Sequence, residues 1–166
     1  MAPMSTDEPR WLDAEEQETW LALAALLVRF PAALDAQLQR DAGLSHFEYQ
    51  VLAGLSMTTG RTLRMSDLAE FAACSLSRLS HTAKRLEGKG WLRRTPDPED
   101  GRYTLAVLTE EGWEKVRATA PGHVAEVHRL LFDPLTRAQH GQLKSISRRV
   151  NDAIGPVRAC PPGHGA

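Results

Sequence analysis

Apolar residues recur at helical spacing across residues 13–40. Trp20, Leu23, Leu27, Phe30, Leu34 and Leu38 stand three or four apart and form one stripe. Asp13, with Glu16 three residues on, has the form of a capping box. Pro31 predicts a kink or break inside this stretch. Gly43 marks a turn. Ser45 then caps a second helix carrying Phe47, Val51, Leu52 and Leu55, which Gly60 closes. A third helix starts near Ser66 with Leu68, Ala69 and Phe71, and Cys74 and Ser75 make the next turn. A fourth runs over 76–87 and stops at Gly88 and Gly90.

The period then changes. Residues 91–95 and 103–108 are short β-like runs, joined by the polar turn Pro96-Asp97-Pro98-Glu99-Asp100-Gly101. Thr109 caps a fifth helix, with Glu110 and Glu111 where the helix dipole favours acids. Its stripe is Trp113, Val116, Ala120, Val124, Val127 and Leu131, and Pro121 predicts a bend. A last helix over 136–154 carries Leu143, Ile146, Val150 and Ile154 at near-heptad spacing. The predicted fold is mostly α with a small β-hairpin wing, a winged helix-turn-helix. Helical regions 11–45 and 109–155 flank a lobe at 46–108, and 1–10 and 156–166 read as flexible tails.

Composition adds a size and a compartment. A chain of 166 residues, 42% hydrophobic and 25% charged, is globular, with room for one core plus an interface. Two cysteines, Cys74 and Cys160, are too few for a disulfide scaffold, and no paired spacing suggests zinc. No basic-then-apolar leader opens the chain, and the longest apolar run, 21–28, is too short to span a bilayer. A cytoplasmic protein without membrane contact is expected. His123 and His128 are five apart, which a solvated helix explains. No nucleophile–base pair, phosphate loop or metal spacing is present, so no catalytic residues, cofactor or metal site are expected.

Charge changes the picture more. The formal net charge of −1 does not suggest a polyanion partner. Its distribution does. Residues 1–20 hold one basic residue and six acids, whereas residues 61–102 hold nine basic residues and six acids, local nets of −5 and +3. With Leu76 at zero and 100° per residue, Leu79, Ala83 and Leu86 fall within about 80° of it, a buried arc. Ser77, Arg78, His81, Lys84 and Arg85 fall on the other side. Their groups suit duplex DNA: Arg for guanine, Ser and Lys for phosphate. Alone, such a helix reads as a solvated face. A helix one tight turn before it and a hairpin after it favour DNA contact. Arg93 and Arg94 lie on the first strand of that hairpin. Arg102 follows Asp100 by two residues, so the carboxylate can orient a guanidinium for a narrow minor groove. An ordinary surface ion pair is the alternative.

Three stretches together resemble the multiple-antibiotic-resistance regulator (MarR) family. They are Leu86-Glu87-Gly88-Lys89-Gly90-Trp91-Leu92-Arg93-Arg94, Asp97-Pro98-Glu99-Asp100-Gly101-Arg102 and Leu108-Thr109-Glu110-Glu111-Gly112. Leu131-Phe132-Asp133-Pro134-Leu135-Thr136 resembles that family's link between its last two helices. The resemblance implies a homodimeric regulator of transcription on double-stranded DNA, most often a repressor, released by a small and often anionic aromatic effector. It assigns DNA contact to Ser77, Arg78, His81, Lys84, Arg85, Asp100 and Arg102. Ser75 in the turn and Arg94 on the strand complete the candidate set. A symmetric dimer implies half-sites about 10 bp apart.

The same resemblance implies an effector pocket between the dimer helices and the lobe. Trp20, Phe30, His46, Tyr49 and Arg61 lie near that junction in sequence, although plain core is the better reading of Trp20 and Phe30, a partly exposed surface or interface residue the better reading of His46, and Tyr49 can line a pocket or merely pack. Some relatives sense peroxide through a cysteine near the first helix, where this chain has none. Cys74, before a helix N-terminus, is the redox alternative, and an inert thiol filling the turn is the plainer reading. A winged helix that binds protein rather than DNA is the remaining alternative.

Overall fold

The computed structural model describes residues 9–155. The tails expected at 1–10 and 156–166 lie outside the described residues except for Pro9 and Arg10, and Cys160 lies outside them too. By internal contacts the chain divides into two units, Met1–Ala33 and Leu34–Ala166.

The first unit is the leading part of helix α1, Ala14–Ala42. Its start is the expected capping box: Glu16 N–H donates to Asp13 Oδ1 at 2.8 Å, and Asp13 N–H donates to Glu16 Oε2 at 3.1 Å. The helix is not broken at Pro31. Pro31 and Leu27 are both exposed, so the Leu27 carbonyl that loses its donor is open to water. Trp20 is 53% exposed and so is not core, and Leu23 and Leu27 are exposed with it. Between Glu18 and Asp35 the only charge is Arg29. The 29-residue helix consequently contains an 18-residue window of mean hydropathy 1.5, long and apolar enough to cross a membrane. The run 21–28 is interrupted only by Arg29 before Phe30, Ala32, Ala33 and Leu34 carry the apolar stretch on.

The second unit holds α2 (His46–Ser56), β1 (Thr62–Arg64), α3 (Met65–Phe71), α4 (Leu76–Gly88), β2 (Leu92–Pro96), β3 (Thr104–Leu108), α5 (Glu110–Val127) and α6 (Arg137–Ile154). Helix α2 ends at Ser56, four residues before the glycine expected to close it. Strand β1 was not anticipated. It pairs antiparallel with β3, which also pairs with β2, in the order β1-β3-β2. Three residues show no usable period. The strand exists because Leu63 faces Ala106 across the sheet.

One core unites this unit. Leu38, Leu44, Val51, Leu52, Leu55, Leu68, Leu79, Ala83, Leu86 and Ala106 have no exposed surface. Each such leucine contributes about 1.5–3 kcal/mol on burial. Leu38 from the end of α1 and Val116 from α5 belong to the same cluster. Segments expected to serve dimerisation therefore also close the lobe. Gly112 is required by a close approach: a Cβ there would collide with the Trp91 carbonyl and stand 2.8 Å from Leu108 Cδ1. Thr109 secures the junction. Its hydroxyl donates to the Gly90 carbonyl at 2.7 Å and accepts the Gly112 N–H at 3.0 Å. Helix α5 also runs on through its exposed Pro121, then passes into a π-helical turn, His128–Phe132. Helix α6 starts at a capping box of Thr136 and Gln139 and has no buried residue.

Candidate nucleic-acid interface

Two helices and one tight turn set the site. The turn after α3 brings Ala73 to φ +46, and Cys74 N–H returns to the Ala69 carbonyl at 3.0 Å. Cys74 is half-buried against the core. Ser75 then caps α4, its hydroxyl accepting the Arg78 N–H at 3.2 Å. The buried side of α4 is Leu79, Thr82, Ala83 and Leu86. Leu76, expected on that side, is 54% exposed. The buried arc is centred nearer Leu86, so Thr82 turns inward and the first residue of the helix projects past its cover. Ser75, Ser77, Arg78, His81, Lys84 and Arg85 are all exposed, as expected.

Neighbouring elements hold several of these side chains. The Arg78 guanidinium lies over the Phe47 ring at 4.2 Å. Arg85 Nε donates to Glu48 Oε1 at 3.3 Å, and Lys89 Nζ is 4.0 Å from the same oxygen. Glu48 is itself buried and accepts the Ser45 N–H at 2.9 Å in the capping box that starts α2. Burial alone would raise its pKa, but the Ser45 N–H, Lys89 and Arg85 together hold the carboxyl below the usual carboxylate range. Neither Phe47 nor Glu48 was singled out from the sequence. The spacing of Ser45 and Glu48 was the available signal.

On the other side of α4, Arg94 is a brace between helix and hairpin. Its Nη2 and Nε donate to Glu87 Oε2 at 2.7 and 3.0 Å, its backbone N–H to Oε1 at 2.8 Å, and its Nη1 to Ser80 Oγ at 3.2 Å. The Arg94 side chain lowers the Glu87 pKa by hydrogen bonding first and by charge after. The half-buried Arg94 is thus committed to protein partners, although it still lines a shallow cleft of about 300 Å³ with Ser77, Ser80, His81 and Lys84.

The hairpin tip has the expected pair. Arg102 Nη2 and Nε donate to Asp100 Oδ2 and Oδ1 at 2.6 and 2.9 Å, and the Arg102 N–H donates to Oδ1 at 3.1 Å. These bonds hold the Asp100 carboxyl below its ordinary pKa. Arg102 remains 85% exposed, so it is oriented and accessible at once. A second anchor escaped the sequence reading. Arg64 at the end of β1 donates Nε to the buried Asp97 Oδ2 at 2.8 Å and lies 4.3 Å over the Tyr103 ring. Asp97 Oδ1 in turn accepts the Glu99 N–H at 2.9 Å, so the loop at the hairpin tip is tied through Asp97 and Arg64 to the first strand.

This winged lobe has close counterparts of known structure. The crystal structure of Sco3205, a MarR family transcriptional regulator from Streptomyces coelicolor in complex with DNA, matches with a TM-score of 0.86. The two are 46% identical over 95% of this chain and 98% of that one. The chain belongs to the MarR family. The MarR family profile itself matches residues 44–104. AbsC, a second MarR regulator from S. coelicolor, is 36% identical over 87% of this chain and 97% of its own, with a TM-score of 0.83. The uncharacterized HTH-type transcriptional regulator YdcH of Bacillus subtilis is 34% identical over 80 residues. That match covers 47% of this chain and about half, 54%, of the relative.

The MarR effector candidates are placed in different parts of the molecule. Trp20 and Phe30 lie in the first unit, exposed and half-buried respectively. His46 and Tyr49 come together with His123 of α5, with ring centroids 6.1 and 4.7 Å from the His123 ring. The five-residue spacing of His123 and His128 predicts a solvated helix face. His123 is instead half-buried, its pKa lowered by burial first and by His46 second. His46 is lowered by burial against an opposing pull from Asp35. Arg61 is elsewhere, pairing with Glu110 at 2.9 Å and lying 4.4 Å over Trp113. Among the described residues no three potential metal ligands gather.

Proposed function

We propose that this MarR protein is a homodimeric transcriptional repressor that binds a pseudo-palindromic DNA operator. The observation that carries the reading is the joint exposure of the α4 face and the oriented Arg102 at the hairpin tip. Together they offer one cationic element to a major groove and one to the adjacent minor groove. The Sco3205 crystal, which contains DNA, supports the same reading. Pairing with a second copy draws support from α6, which leaves Ile146, Val150 and Ile154 exposed. The apolar window of α1 is assigned to that pairing rather than to a membrane, since the match to Sco3205 takes in most of this helix. Acting on chromosomal DNA, the protein works in the cytoplasm.

Selection from random duplexes tests the reading. The chain should enrich one two-fold motif, and Arg102→Ala should weaken binding of it about tenfold while the dimer persists. Affinity should fall steeply with salt. Failure to enrich any motif would leave the protein-binding alternative. Release by a small effector is the finer part of the proposal. It draws support from the His46–Tyr49–His123 cluster, beside which Gln37 Oε1 and His123 Nδ1 are buried polar atoms without hydrogen bonds. Aromatic acids titrated into the complex should release the operator, and less effectively in Tyr49→Ala.

A further inference from the structure

The exposed side of α4 is not uniform. At 100° per residue, Ser77, His81 and Lys84 lie within about 60° of one another, directly opposite the buried Leu79, Thr82, Ala83 and Leu86. Among the described residues none of the three side chains makes a hydrogen bond or ion pair, so this crest is unencumbered. Arg78 and Arg85 are about 20° apart on one flank, each held from α2, by Phe47 at 4.2 Å and by Glu48 at 3.3 Å. The other flank is Ser80 and Glu87, both bonded to Arg94.

We infer that base reading by this helix falls to Ser77, His81 and Lys84, and that Arg78 and Arg85 grip phosphates. This rests on the DNA-binding reading above and assigns its specificity. It reverses the simplest expectation, that the arginines would read guanine. When a helix lies in the major groove, only its outermost row is directed at the base edges on the groove floor. Side chains a quarter-turn away meet the walls, which are phosphate. The holding contacts fit that division. Glu48 takes Nε of Arg85 and leaves its two Nη groups for an anionic oxygen. Phe47 fixes the Arg78 plane on the α2 side, away from the crest. On the crest, His81 and Lys84 are donors suited to the O6 and N7 of guanine, and the Ser77 hydroxyl serves either base of a pair.

The test is selection from random duplexes, followed by affinities for every single-base variant of the selected site at several salt concentrations. The full chain and the variants His81→Ala, His81→Gln, Lys84→Ala, Arg78→Ala and Arg85→Ala are compared, with thermal melts to establish folding. All four positions are exposed, so the variants should melt close to wild type. Wild type should prefer its best base at the contacted positions by about 10- to 100-fold. His81→Ala and Lys84→Ala should bring that preference close to parity at one position each. Arg78→Ala and Arg85→Ala should weaken all sites by one common factor, reduce the salt slope by about one each, and leave the motif unchanged. A changed motif in Arg78→Ala or Arg85→Ala, with an unchanged one in His81→Ala and Lys84→Ala, would overturn the assignment while leaving DNA binding intact. No motif for wild type would overturn both.

Discussion

Helices α4 and α6 carry the same kind of pattern and meet opposite outcomes. Each has apolar residues along one side and cations along the other. In α4 the apolar side is buried to 3% exposure or less at Leu79, Thr82, Ala83 and Leu86. In α6 the apolar side is bare, with Ile146 at 59% and Ile154 at 75%. Amphipathicity therefore states that a face wants cover and not where the cover comes from. For α4 the chain supplies it, through α3 and the sheet. For the bare side of α6 the described residues supply none, and a second copy is the proposed source.

The largest effect that could break this contrast is on the covered side. Leu86→Ala should lower unfolding stability by about 2–5 kcal/mol in urea titrations. A loss below about 0.5 kcal/mol would mean the α4 face is not packed as described. On the bare side, Ile146→Asp should leave the lobe folded by circular dichroism but raise the dimer dissociation constant at least about 100-fold, from the desolvation of a charge in an apolar contact. Sedimentation should then show mass near the 18.3 kDa chain rather than twice that value. An unchanged dimer would remove α6 from the interface.

Helix α5 sharpens the comparison because it crosses from covered to bare. Val116 is buried, Val124 is 51% exposed, and the half-buried His123 lies just before it, against Tyr49 and His46. Asp35 accepts the His46 backbone N–H at 2.7 Å, and Gln37 and Asp41 face Gly122 from α1. Both histidine pKa values are depressed below 6.5, so the unfolded chain takes up protons before the folded one does. Stability is then complete above about pH 6.5 and is lost as pH falls toward the folded pKa values. Tm should drop between about pH 7.5 and about pH 5.5, and drop less in His123→Gln. An identical pH profile in that variant would show that the ring cluster does not exclude protons. The smallest effect concerns the turn that aims α4. Ala73 holds φ +46, where an L-residue is strained by about 1–2 kcal/mol. Ala73→Gly relieves that strain but adds freedom to the unfolded chain, so a net gain of about 0.5 kcal/mol in Tm-derived stability is expected.

Features written within a few residues were legible beforehand. The Asp100–Arg102 pair, the caps at Asp13, Ser45 and Thr109, and the exposed row of α4 all follow from spacings of two to four. Features that join distant segments were not. Glu48 and Arg85 are 37 residues apart, Arg64 and Asp97 are 33, and β1 exists only through β3, more than 40 residues later. Neither proline ends its helix, for a reason that also depends on the surroundings. A carbonyl that loses its donor costs little where water reaches it, and Pro31 and Pro121 are both exposed.

Local chemistry thus determined the helices, the hairpin and the side chains presented on each, because turns, caps and periodicity act over a single turn of chain. Tertiary structure decided which apolar stripe is core and which is bare. It also decided which arginine is braced between elements and which stays exposed, and how far around α4 the crest is turned. Those outcomes depend on what stands opposite each face, and the partner in every case comes from a remote part of the sequence or from another molecule.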